Sequence, residues 1–208
     1  MKKFVKLSAV LAAITLALAF TGCSSDDDDD EDELSAVTSA QQLKFQTGTY
    51  SFAIAATSTE EIGIIEITEK GTVMITGTSA DSTVATNTES STAKITAKNK
   101  EYYDSLKEEF GEEDKESVYT YNDTDLVITA AAKPSSPENE TYAKFTQEFF
   151  PKNEISSDEQ IIYTGIEVKQ NSDGSKITAS YTETDSWTDE DGKKQTSVYK
   201  YSIVLEKK

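Results

Sequence analysis

Apolar and polar residues alternate through much of the chain, and a period of two marks a strand with one buried face. Tyr50, Phe52 and Ile54 alternate with Ser51, Ala53 and Ala55. Ile62 to Thr68 and Thr72 to Thr78 are β-branched runs separated by Glu69-Lys70-Gly71, a spacing that predicts a hairpin closed on the glycine. Ser79 to Ser91 is rich in serine and threonine and is expected to be a polar loop, after which Ala93, Ile95 and Ala97 resume the alternation. The period then lengthens. Tyr102, Leu106 and Phe110 lie four residues apart and Gly111 follows, so Lys100 to Phe110 is expected to form an amphipathic helix with a glycine stop.

Ser117 to Tyr121 and Leu126 to Ala132 predict a second hairpin around Asn122-Asp123-Thr124-Asp125. Pro134 and Pro137 interrupt the pattern, and Tyr142, Phe145 and Phe149 within Asn139 to Phe150 suit a short helix, preferred here, or an aromatic strand. Ile162, Thr164, Ile166 and Val168 are expected on one face. Asn171 to Gly174 reverses the chain into Ile177, Ala179 and Tyr181, a second reversal lies around Asp189 to Gly192, and Tyr199, Tyr201, Ile203 and Leu205 end the protein on a long strand. The result is an all-β chain, an antiparallel meander of about eight or nine strands with one or two short helices. So many strands must manage their edges, so a closed up-and-down barrel is preferred, with a β-sandwich as the alternative.

The N-terminus has a different pattern. Lys2, Lys3 and Lys6 precede an uncharged apolar run from Leu7 to Phe20, which is short of the roughly 20 residues a spanning helix needs and has the form of an export signal. It ends in Phe20-Thr21-Gly22-Cys23, which resembles the lipobox of bacterial lipoproteins, with Phe20 standing where an aliphatic residue is usual. That resemblance implies lipidation of Cys23, cleavage before it by signal peptidase II, and attachment to the cell envelope through acyl chains; two or more such chains hold a protein stably to a membrane. Asp26 to Glu33 is an unbroken run of carboxylates, a self-repelling spacer. Acidic residues there also resemble the surface-export signals of some lipoproteins, and Ser24 stands where inner-membrane retention is associated with Asp, so an outer-membrane, surface-exposed location is expected. The expected organisation is a signal peptide over 1–22, a lipidated cysteine and acidic disordered linker over 23–44, and one barrel-like domain over 45–208. Within that domain Thr47-Gly48-Thr49-Tyr50-Ser51-Phe52 and Leu126-Val127-Ile128-Thr129 resemble segments of lipocalin-like bacterial lipoproteins.

Charge and composition narrow the function. The 208-residue chain carries a net charge of -18, and removal of the three signal lysines makes the mature form three units more negative. It contains no arginine and no histidine. Planar phosphate recognition and proton transfer near neutral pH lose their usual side chains, so nucleic-acid binding and histidine-based catalysis are not expected. Cys23 is the only cysteine, so a domain disulfide is excluded and the core must hold the fold. Asp185 to Gly192 gathers acidic residues before a glycine, but with Gly192 at the sixth position of a calcium loop the first and twelfth would be Trp187 and Val198, neither of which is a carboxylate. A solvated turn is expected instead, with Trp187, the only tryptophan, capping the barrel mouth or exposed as a binding aromatic.

The remaining candidate chemistry is aromatic. Tyr50, Tyr163, Tyr181, Tyr199 and Tyr201 lie in expected strands, and a phenol combines an apolar ring with a hydroxyl that needs a partner when buried. Tyr50, Phe52, Tyr181, Trp187, Tyr199 and Tyr201 are the candidate ligand-binding residues. No cofactor, metal or enzymatic activity is expected. The leading expectation is a non-enzymatic lipoprotein that holds a small hydrophobic or amphipathic ligand in a lipocalin-like barrel. The alternative is a surface interaction or structural lipoprotein with a packed core that contacts host or envelope components.

Overall fold

The computed structural model describes residues 33–113, 117–132, 136–157, 159–189 and 192–208. The export signal, Cys23 and Asp26 to Asp32 lie outside the described residues, as do Pro134 and the Glu190-Asp191 pair of the expected turn. Among the described residues eleven strands form one sheet in which every pairing is antiparallel. Six long strands make its body: β2 (Gly48–Thr59), β3 (Gly63–Ile75), β4 (Thr83–Ala97), β9 (Glu159–Gln170), β10 (Lys176–Thr188) and β11 (Lys194–Lys207). The rest are short: β1 (Ser35–Val37), β5 (Ser117–Asn122), β6 (Val127–Ala132), β7 (Glu138–Thr141) and β8 (Glu154–Ile155).

The sheet order is β1-β9-β10-β11-β2-β3-β4-β6-β5, with β7 beside β4 and β8 beside β9. The antiparallel meander is as expected, and the last strand pairs with β2 across Tyr199↔Ser58 to Lys207↔Tyr50, as an up-and-down barrel would require. Closure does not follow. Among the described residues no ladder joins the β6–β5 edge to the β9–β1 edge, so the sheet is open where a closed barrel was preferred. The break falls where the chain leaves the meander for β7, a helical turn α2 (Tyr142–Phe145) with its 3-10 extension (Thr146–Phe149), and β8.

One face of the sheet is covered at two places, giving two cores. Under α2 and the segment from Val37 to Phe45 lie Tyr50, Phe52, Ile54, Val73, Ile75, Ile177, Ile203 and Leu205. Under the long helix α1 (Lys100–Glu113) lie Ala56, Ile65, Ile67, Ala93, Ile95, Ile128 and Tyr199. The main chain of α1 is capped by Asn99, whose Oδ1 accepts from the Tyr102 N–H at 3.0 Å, and the helix buries Tyr103, Leu106 and Phe110. Tyr103 rather than Tyr102 is the fully buried ring; Tyr102 turns outward and its hydroxyl donates to Glu61 Oε1 at 2.8 Å. The helix also runs past Gly111, which does not stop it.

Four further expectations are corrected. Glu69-Lys70-Gly71 is not a turn: β3 runs straight through it, burying Gly63, Ile65, Ile67, Glu69, Gly71, Val73 and Ile75 on one face. Gly71 is needed there because a Cβ would sit 2.2 Å from the Asn87 carbonyl oxygen and 2.6 Å from the Phe52 ring. Thr83 to Ser91 is strand rather than loop, since β4 pairs with β3 on both sides of a register shift at Lys70/Gly71 that skips Glu89. The domain begins at Ser35 rather than residue 45: β1 pairs with β9, and Leu43 and Phe45 are buried. Finally, Ile162, Thr164, Ile166 and Val168 do not share a face. The β9–β10 register shifts between Ser180 and Thr182, beside Gly165 at φ +64°, and such a bulge moves one side of a strand to the other.

Candidate functional site

The bulge in β9 assembles the most distinctive cluster of the molecule. On its far side Tyr163 pairs with Glu183, which pairs with Tyr199, which pairs with Ser58; one row away Tyr181 pairs with Tyr201 and Tyr201 with Ala56. Alternation along β10 then sets Tyr181, Glu183, Asp185 and Trp187 on one face. The rings of Tyr181 and Tyr201 stack at 5.0 Å, Tyr163 meets Tyr181 edge-on at 5.6 Å, and Tyr199 lies 6.2 Å from Tyr201.

Glu183 lies at the centre of these rings. The Tyr201 hydroxyl donates to Glu183 Oε1 at 3.4 Å, and Tyr163 lies beside the same carboxylate as its cross-strand neighbour. Burial raises the Glu183 pKa above the ordinary carboxylate value, and the two tyrosines counter that rise while the neighbouring Asp185 charge adds to it. Burial, followed by the Glu183 charge, pushes the Tyr163, Tyr181 and Tyr201 phenols up; for Tyr199 the next cause after burial is Glu60. These phenols stay protonated. A carboxylate among neutral ring faces is an arrangement that attracts positive charge.

The candidate residues fall into two sets. Tyr181, Tyr199 and Tyr201 belong to this cluster, and Trp187 extends it as a half-buried strand residue paired with Glu159 and Gln195, not as part of a turn. Tyr50 and Phe52 share the core under α2 with Tyr181 but stand apart from the ring cluster, Tyr50 meeting Phe45 edge-on at 6.2 Å instead. The Tyr50 hydroxyl accepts from the Gln46 N–H at 2.7 Å and donates to the Gly174 carbonyl at 3.0 Å, an anchoring role for the N-terminal segment and the β9–β10 turn. Glu183 carries no assignment from the sequence and Asp185 is expected there in a solvated turn, but β10 runs to Thr188 and the spacing of two from Tyr181 and Trp187 places all four on one strand face.

Phe52, Ile54, Thr86, Phe145, Glu148 and Phe149 are among the residues around a cavity of about 30 Å³ beneath α2, room for a water or two. A depression of about 170 Å³ lies on the opposite face at the bulge, between Glu167, Lys169, Thr178 and Ser202. Both fall below the roughly 300 Å³ of an ordinary small-molecule pocket. Among the described residues no group of three or more acidic, histidine or cysteine side chains is arranged to hold a metal ion. No known protein family, curated protein or solved structure matches the chain.

Proposed function

We propose that the protein is a bacterial lipoprotein, anchored to the outer membrane through lipidated Cys23 and exposed at the surface, whose β domain acts without catalysis by binding a partner at its own surface. The observation that carries this reading is the cavity beneath α2: among the described residues it amounts to about 30 Å³, too little for an apolar ligand. The lipobox resemblance at Phe20-Thr21-Gly22-Cys23 supports the anchor, and the carboxylate run from Asp26 to Glu33 supports display away from anionic lipid. The absence of arginine and histidine argues against nucleic-acid binding and histidine catalysis.

The domain purified from its native host tests this reading by native mass spectrometry. The expected result is the apo mass in repeated preparations and no binding of a hydrophobic fluorescent probe. A co-purifying apolar molecule displaced by the probe would return the carrier function to first place.

A further inference from the structure

The molecule contains two sets of tyrosines gathered around a carboxylate, and one of them is already occupied by a cation. At α1, Lys107 Nζ lies 5.6 Å from the centre of the Tyr103 ring and 5.2 Å from that of Tyr121, and bonds Asp123 Oδ1 at 2.7 Å. The Tyr103 hydroxyl also donates to that Asp123 oxygen, at 2.9 Å. This is a cation held by two ring faces and one carboxylate. The second set has the same ingredients. Tyr201 donates to Glu183, Tyr163 is the cross-strand neighbour of Glu183, and Tyr181 stacks on Tyr201, yet among the described residues no lysine lies over any of these rings. The charges that act on the four phenols are carboxylates, Glu183, Asp185, Glu148, Glu154 and Glu60, together with neighbouring tyrosines.

We propose that the inner face of β9 to β11, centred on Glu183 between Tyr163 and Tyr201, is a docking surface for a lysine or arginine side chain on a basic segment of a partner protein. The inference deepens the surface-binding function given above and rests on it. Two features select a protein partner. The face is half-buried and open, with Tyr163, Glu183, Asp185, Trp187 and Tyr201 all partly exposed, so it meets a side chain carried on a surface better than it encloses a free small cation. The chain's net charge of -18 draws basic partners at long range, and the partly exposed Tyr163, Tyr201 and Trp187 supply the short-range contact.

Trp187, the only tryptophan, lies on the same strand face as Glu183 and reports binding by its fluorescence. The chain from Ser24 to Lys208, which carries every described residue, is titrated with a short blocked peptide containing two arginines and with the same peptide carrying citrulline in their place. The expected result is saturable binding of the arginine peptide alone. Glu183→Gln and Tyr201→Leu should each weaken it at least tenfold, Tyr201→Phe should keep it within about threefold, and Lys107→Gln should leave it unchanged. Circular dichroism melts identify any variant that fails to fold, and Tyr163→Leu then replaces it in the comparison.

Equal binding by wild type and Glu183→Gln would overturn the proposal, as would binding that disappears entirely at 0.5 M salt with no Trp187 response. Tetramethylammonium binding as tightly as the peptide would overturn the assignment to a protein partner. Failure of these arms would leave the surface-binding function standing on its own test, because the small cavity beneath α2 does not depend on where the partner docks.

Discussion

Glu69 occupies a position where the alternation of β3 demands an apolar residue. It is 1% exposed, between Ile67 of one core and Gly71 at the start of the other, and its Oε1 accepts from the Thr88 hydroxyl at 2.8 Å while Oε2 has no partner. Burial drives its pKa from about 4.5 up to about 7; the Thr88 bond opposes that rise, and the Glu138 charge adds to it. A proton is therefore held more tightly in the fold than in the unfolded chain. The contribution of this group is complete below about pH 4.5 and is lost as pH rises through about 7. Urea unfolding at pH 5 and pH 8 should show wild type losing on the order of 2 kcal/mol more than Glu69→Gln across that interval. The comparison with the variant isolates Glu69 from the general self-repulsion of an acidic chain. Equal losses in the two proteins would show that Glu69 titrates normally.

Helix α1 and the long strands divide the labour of burial. Tyr103 and Leu106 are both fully buried against β3, β4 and β6, and Phe110 stacks on Tyr119 at 5.1 Å. Leu106→Ala would leave a void in the second core and should cost about 2–5 kcal/mol in chemical denaturation, with the Trp187 environment on β10 unchanged in the folded state. The helix was legible from its spacing because three apolar residues on one face specify it locally. β3 and β4 were not, for a physical reason. Glu69-Lys70-Gly71 has the chemistry of a turn, but Gly71 serves a close approach to Phe52 and Asn87, and only the neighbouring strand makes that need visible. The serines and threonines from Thr83 to Ser91 fit a loop equally well by composition, and their pairing with β3 decides for strand.

The tyrosine and carboxylate cluster was half legible for the same reason. Tyr181, Tyr199 and Tyr201 could be placed on strand faces by counting in twos. Tyr163 joins them only because the register shift at Ser180/Thr182 moves one part of β9 relative to the other, a displacement that no periodicity in β9 records.

Across the whole molecule, an open acidic sheet is expected to be tethered by a single residue at the far end of a charged spacer. Its edge strand β5 keeps Val118 55% exposed, and no helix among the described residues is long and apolar enough to cross a membrane. If the envelope location depends on lipid, Cys23→Ser should abolish labelling by a palmitate analogue, leave the precursor uncut and release the protein from its stable anchor in cell fractionation. Continued labelling of that variant would overturn the anchor.

Residue order alone carries the period of two, the helical spacing after Lys98, the resemblance of the N-terminus to a lipoprotein address, and the lack of arginine and histidine. These are local or compositional properties, so no distant contact is needed to establish them. The fold adds what depends on partners far away in the chain: a strand that continues through a glycine, a bulge that turns Tyr163 toward Glu183, and a sheet that pairs its last strand with β2 yet stays open at β9. Alternation says that a strand has two faces. Register, set by hydrogen bonding to neighbours more than a hundred residues distant in the case of β2 and β11, says which side chains meet.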